Sequence, residues 1–94
     1  MTKQELCSLV SNETGIVYEA VKIIVDEYAR QVIRCLEKGN NYTQRGFGTF
    51  HLVRRKEKKS RDIGRNLSLT VPERTIPKFR PSPAFTKIVK QSNN

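Results

Sequence analysis

The residue types that most often carry catalysis or bind metals are scarce in this sequence. His51 is the single histidine, and the two cysteines, Cys7 and Cys35, form no C-x-x-C pair. One imidazole and two thiols do not supply the four spaced ligands of a structural zinc site, and no paired carboxylates or activated serine are evident. The sequence therefore predicts no enzymatic activity, no metal and no cofactor. His51 is expected to face solvent or a phosphate, and both cysteines are expected to be buried, reduced thiols.

Cations, in contrast, are concentrated in one run. Residues 54–65 read RRKEKKSRDIGR, with seven basic and two acidic side chains. The formal charge of the 94 residues is +9, and it lies wholly in the second half, because residues 1–45 carry six basic and six acidic side chains. This balance favours a polyanionic partner. An acidic substrate, a membrane surface and a run that serves only solubility are the alternatives.

The neutral first half has the pattern of two helices. Thr2 and Glu5 have the spacing of a capping box, which predicts a first helix that ends near Gly15. Apolar residues then recur every three or four positions over Tyr18–Lys38, which predicts a long second helix of roughly 30 Å. That helix is apolar on more than one side, and hydrophobic residues make up only 36% of the chain. Both features favour oligomerisation.

The second half has the composition of strands and turns. It predicts a hairpin with arms of roughly Thr49–Arg61 and Asn66–Arg80. Pro72 and Pro77 each lack a backbone donor, so we expect them at an edge or a bulge. The cationic ribbon has too few apolar side chains to fold alone and should project into solvent. Residues 83–90 form a last apolar segment, typical of a short terminal helix.

A compact block, G-F-G-T-F at residues 46–50, stands where the two halves meet. Two glycines around an aromatic residue indicate close backbone approach, with Phe47 and Phe50 packing beneath the sheet. A phosphate-binding loop is the alternative, but no G-K-[ST] follows and no strand-loop-helix context surrounds the block. We therefore interpret it as structural.

The opening TKQEL, the G-F-G-T-F block, the basic run and V-P-x-x-x-I-P-x-F-x-P at residues 71–81 together resemble the HU and integration host factor family of bacterial DNA-bending proteins. The resemblance covers essentially the whole chain without gaps. It implies an α+β fold with an N-terminal helical hairpin, a three-stranded antiparallel sheet with a long β-ribbon arm, a short C-terminal helix and an intertwined dimer. Residues 1–94 would form one domain, with a dimerisation part (1–39), a sheet and DNA-binding arm (40–81) and a helix with a tail (82–94).

The same resemblance implies an architectural double-stranded DNA-binding protein that bends and compacts DNA with little sequence specificity. Two basic arms would lie in the minor groove, each with an apolar wedge at its tip. The alternatives are a sequence-selective bender like integration host factor, a structural RNA-binding protein, and a module that docks on an acidic protein. We expect a homodimer, with a heterodimer as the alternative, in the cytoplasm and associated with the nucleoid. No membrane or small-molecule partner is expected, because no apolar run approaches the length of a membrane span.

The resemblance also implies which residues contact DNA. Strand alternation means that the cations of the arm cannot all face the duplex. The positions where cations of the family's arms fall are Arg55, Lys58, Arg61 and Arg65. The full set of expected DNA-binding residues is Lys3, Arg54, Arg55, Lys56, Lys58, Lys59, Arg61, Ile63, Arg65, Arg74, Lys78 and Arg80.

The tip of the arm departs from the family's usual R-N-P-x-T-G. The ungapped match is RDIGRN at residues 61–66, which places Ile63 where the family has its wedge proline. A competing match sets Arg65, Asn66 and Leu67 against R-N-P, but it needs compensating gaps and a lopsided hairpin. In a third interpretation, Ile63 only covers the turn.

Overall fold

The computed structural model describes the backbone of residues 1–62 and 67–93 and the side chains of residues 1–58, 70 and 72–93. Its elements are α1 (Lys3–Thr14), α2 (Tyr18–Glu37), β1 (Tyr42–Gln44), β2 (Gly48–Arg55), β3 (Lys58–Asp62), β4 (Leu67–Val71), β5 (Arg74–Pro81) and α3 (Pro83–Ser92). The predicted α+β class, paired N-terminal helices, three-stranded antiparallel sheet and terminal helix are confirmed. The chain divides into two compact units, residues 1–35 and residues 36–94. Whether they form one domain stays a prediction.

The first helix begins and ends where the sequence predicts. The Thr2 side chain accepts a hydrogen bond from the Glu5 backbone N–H at 3.2 Å, which satisfies a donor that the helix leaves free. Gly15 ends α1 in the left-handed region, with φ 78°, and its N–H donates to the carbonyl of Ser11. A side chain at that φ would be strained, so glycine is the residue suited to this end.

The core of the first unit is small. Its buried apolar side chains are Cys7, 1% exposed, and Val21, 2% exposed. The prediction of buried, reduced cysteines is confirmed for Cys7, whereas Cys35 is reduced but only half-buried. Several large apolar side chains of this unit stay exposed, among them Leu6, Leu9, Val17, Ile23 and Ile24.

Strands β2, β3, β4 and β5 form one two-stranded ribbon whose pairing is interrupted once. The sheet order is β1-β2-β5, and β3 pairs with β4. Arg55 pairs with Arg74 and Lys58 pairs with Val71, so residues 56–57 and 72–73 separate the two ladders without a change of register. The two predicted arms are therefore paired in one register, with a break at these four residues. Pro72 stands in the gap and has no N–H to give to the ladder.

The second proline of the arm lies as expected. Pro77 of β5 pairs with Leu52 of β2. Strand β5 is an edge strand of the three-stranded sheet. An edge strand can accommodate a residue without a donor, because one side of its backbone has no ladder to complete.

An aromatic cluster joins α3 to the sheet. The ring centroid of Phe79 lies 5.2 Å from that of Phe47 and 4.8 Å from that of Phe50, and Phe85 of α3 lies 5.5 Å from Phe47. A Cβ on Gly48 would lie 2.5 Å from the carbonyl oxygen of Arg80 and 2.6 Å from the Phe79 ring. The close approach and the packing predicted for the G-F-G-T-F block are therefore confirmed.

The last helix is capped at its start. The Ser82 side chain accepts from the Phe85 N–H at 3.1 Å, and a proline occupies the first turn. Within the described parts of the chain, none of the helices combines the length and the apolar character that a membrane span needs.

Candidate nucleic-acid interface

Strand pairing assigns the side chains of the three-stranded sheet to two faces, because directly paired residues share a face and successive residues alternate. One face is apolar, since Phe50 pairs with Phe79 and Leu52 with Pro77. The opposite face, called the cationic face below, carries Thr49, His51, Val53 and Arg55 of β2 and Arg74, Ile76, Lys78 and Arg80 of β5.

Like charges meet on the cationic face. Arg55 lies directly across from Arg74, an arrangement that destabilises a strand pair. Lys78 and Arg80 continue the row of cations along β5. Among the described side chains, no carboxylate lies within ion-pair distance of these four cations. An anion placed along this face would relieve the repulsion.

A groove lies where the ribbon is interrupted. Its volume is about 620 Å³. It is lined by Arg55, Lys56, Glu57, Lys58, Arg74 and Ile76. Four cations around one carboxylate make the groove positive, which favours an anion there. The structure thus brings four of the expected DNA-binding residues together.

Arg54 is placed differently from its neighbour Arg55. Alternation along β2 puts it on the other face of the strand, and its Nε donates to Oε1 of Glu73. The side chain of Arg54 is 77% exposed, so the ion pair is a solvated one of modest strength. Arg54 has a carboxylate partner within the ribbon itself, in contrast to the cationic face.

Lys3 also has a carboxylate partner. Its Nζ lies 2.8 Å from Oδ1 of Asp26, in the first unit. The hydrogen bond to Asp26 raises the pKa of Lys3, and the hydrogen bond from Lys3 lowers the pKa of Asp26. Since the ordinary values are 10.5 and 3.8, both groups are charged at neutral pH.

Two of the expected DNA-binding residues, Lys59 and Arg61, belong to β3, where they pair with Thr70 and Ser68. Two others, Ile63 and Arg65, lie outside the described residues.

The sequence analysis missed the two acidic partners, Asp26 and Glu73. Asp26 lies 23 residues from Lys3, and no local pattern links such distant residues. Glu73 could have been found, because a symmetric hairpin with its tip between residues 64 and 65 brings it near Arg54. The register places His51, which the sequence analysis expects to face solvent or a phosphate, on the cationic face beside Lys78.

Comparison with known proteins assigns the family. Residues 1–90 match the family model described as bacterial DNA-binding protein. The chain belongs to this family. Its members with similar sequences include DNA-binding protein HU of Thermotoga maritima, which is 33% identical over 90 residues, or 96% of this chain and all of that protein. The predicted resemblance to HU is thereby confirmed.

Integration host factor also appears among the relatives. Its subunit alpha from Idiomarina loihiensis is 23% identical over 92 residues, covering 98% of this chain and 94% of that protein. Among solved structures, an Anabaena HU–DNA cocrystal structure superimposes with a TM-score of 0.88 at 24% identity, over 95% of this chain and 97% of that one. At this identity the structural similarity supports the fold.

Proposed function

We propose that this protein is an architectural double-stranded DNA-binding protein that bends and compacts DNA with little sequence specificity. The cationic face carries the proposal, because Arg55 and Arg74 meet across the strands with no described carboxylate within ion-pair distance. Duplex DNA presents one phosphate charge per about 1.7 Å of helix axis, a row of anions that matches a row of cations. Membership in the bacterial DNA-binding family supports the same partner.

The dimensions of the ribbon suit a groove of the duplex. Paired strands lie about 4.8 Å apart, and the minor groove is about 6 Å wide. At about 3.3 Å per residue, residues 56–62 extend the ribbon by up to about 23 Å beyond β2. Affinity would come mainly from release of counterions as lysines and arginines neutralise phosphates, and the preference would be for deformable or gapped DNA.

Bending is assigned to the tip of the ribbon, with Ile63 as the wedge. Leu67 pairs with Asp62 in the same register as the rest of the ribbon, which disfavours the competing match because that match needs a lopsided hairpin. Unstacking a base step costs a few kcal/mol, which the additional contacts to a bent duplex offset. Ile63→Ala should reduce the bend measured by energy transfer between the DNA ends while weakening binding only modestly. An unchanged bend would remove Ile63 from the mechanism.

A second copy of this chain is proposed to cover the exposed apolar side chains of α1 and α2. Leu6 and Leu9 are each 49% exposed, and Ile24 is 57% exposed. Burying such surface stabilises an assembly by about 25 cal/mol per Å². Sedimentation of the purified chain should show a dimer. A monomer that becomes dimeric only with a second, related chain would indicate a heterodimer.

The proposal includes neither enzymatic activity nor a cofactor, and it places the protein on the nucleoid in the cytoplasm. Mobility shifts with intact, nicked and gapped DNA duplexes and with duplex RNA, at two salt concentrations, test it. We expect DNA to outcompete RNA, gapped DNA to bind best, and affinity to fall steeply with salt. Stronger binding to RNA, or affinity that does not depend on salt, would contradict the proposal. One operator that outcompetes bulk DNA in footprinting would instead indicate a sequence-selective bender.

A further inference from the structure

His51 lies in the middle of the cationic face. It pairs directly with Lys78 of β5, and Arg80 is its diagonal neighbour on the same strand. On the other side, β1 contributes Thr43, which is uncharged. Arg55, two pairs further along, and Arg74 opposite it complete the charged groups of this face. Every charged neighbour of His51 on the sheet is therefore a cation.

The two ring nitrogens of His51 differ in their surroundings. Nδ1 is buried and has no hydrogen-bond partner, which is true of no other side-chain nitrogen or oxygen among the described side chains. A hydrogen on Nδ1 would be a buried N–H without an acceptor. The hydrogen that His51 can donate is therefore one on Nε2.

We propose that His51 binds the DNA backbone as a hydrogen-bond donor through Nε2–H. The assignment rests on the proposed function, since it needs a duplex on the cationic face. An N–H that donates to a phosphate oxygen adds affinity and positions the backbone. His51 would contribute this directed hydrogen bond beside Lys78, which contributes through its charge.

Substitution of His51 by glutamine or by asparagine distinguishes a contact made through Nε2 from one made through Nδ1. The side-chain nitrogen of glutamine reaches about as far as Nε2, whereas that of asparagine reaches only about as far as Nδ1. Affinity for a short gapped duplex is measured by fluorescence anisotropy at several salt concentrations. His51→Ala and His51→Asn should weaken binding about tenfold, whereas His51→Gln should stay within about threefold of the parent protein. Circular dichroism melts of each variant establish that it is folded.

Lys78→Ala is the control for a contact made through charge. In this variant the slope of log affinity against log salt should become shallower by about 0.9 per protomer.

Two results would overturn the assignment while the parent protein still binds DNA. They are unchanged affinity of the folded His51→Ala, and an affinity of the folded His51→Gln as low as that of His51→Ala. Failure of the parent protein to bind any duplex would overturn the proposed function, and this assignment with it.

Discussion

The two units of this protein differ in whether their cations form ion pairs with carboxylates. In the first unit, Lys3 forms an ion pair with Asp26 and Arg30 with Glu27. On the cationic face of the second unit, Arg55 and Arg74 face each other with no described carboxylate within ion-pair distance. The first unit thus pairs two of its cations internally and leaves apolar side chains exposed, whereas the cationic face leaves its positive charge for an external anion. In this protein, the candidate binding surface is the one whose exposed cations lack ion-pair partners.

The largest effect is expected from removing the charge that the second unit leaves uncompensated. In a dimer, Arg55→Ala together with Arg74→Ala deletes four cations. If each neutralises one phosphate, affinity at 0.1 M salt should fall by about 1,000-fold and the salt slope should become shallower by about 3.6. Mobility shifts over a salt series measure both.

The matched control for this double variant is Arg30→Ala, which removes a cation that Glu27 already neutralises in the first unit. Its affinity should stay within about threefold of the parent protein. Equal losses of DNA affinity in the double variant and in Arg30→Ala would contradict the distinction between cations with and without an ion-pair partner.

The next largest effect concerns stability and is confined to the second unit. Gly48→Ala would force a Cβ to within 2.5 Å of the Arg80 carbonyl oxygen, so the edge of the sheet must move. We expect a loss of about 3 kcal/mol in the free energy of unfolding. At Gly39 a Cβ would meet no atom within 4 Å, and only its φ of 88° opposes a side chain. Gly39→Ala should therefore cost about 1 kcal/mol. Urea denaturation compares the two, and equal costs would contradict the close approach at Gly48.

A smaller effect tests whether the units unfold together. Thr2→Ala and Ser82→Ala each remove an N-cap, the first in one unit and the second in the other. Each should cost about 1 kcal/mol. If the units unfold cooperatively, both variants lower the same calorimetric transition. Two separate transitions, each shifted by only one variant, would show that the two units unfold independently as well as differing in charge.

The smallest effect should be a gain. Asp26→Asn removes the carboxylate that holds Lys3, so this lysine becomes available to a phosphate. DNA affinity should rise about threefold, with a salt slope steeper by up to about 0.9 per protomer. Glu27→Gln, which frees Arg30 instead, is the control and should leave affinity unchanged. A gain in both variants would mean that net charge alone sets affinity.

The pair of Lys3 and Asp26 also has a defined pH range. The lowered pKa of Asp26 means that the pair stabilises the fold above about pH 3.8 and is lost as the pH falls through the value in the folded protein. The raised pKa of Lys3 means that the contribution is present below 10.5 and is lost as the pH rises beyond it. Because both groups are exposed, the effect on stability is small.

Local patterns were sufficient for the helices, the family and the location of charge. The cap at Thr2 and the left-handed end at Gly15 depend on neighbours within a few residues. The concentration of net charge beyond residue 45 is a property of composition along the chain. None of these features needs knowledge of which distant segments meet.

The partners of individual cations are decided by long-range strand pairing, because the free energy of a cation depends on which side chains the fold brings next to it. Arg54 and Arg55 are adjacent and identical in type, yet strand alternation gives one a carboxylate at Glu73 and the other a facing arginine. The same register places His51 beside Lys78 and buries one of its nitrogens. Residue types along the chain specified that the protein is basic and where its charge lies, and strand register specified which of those charges remain uncompensated.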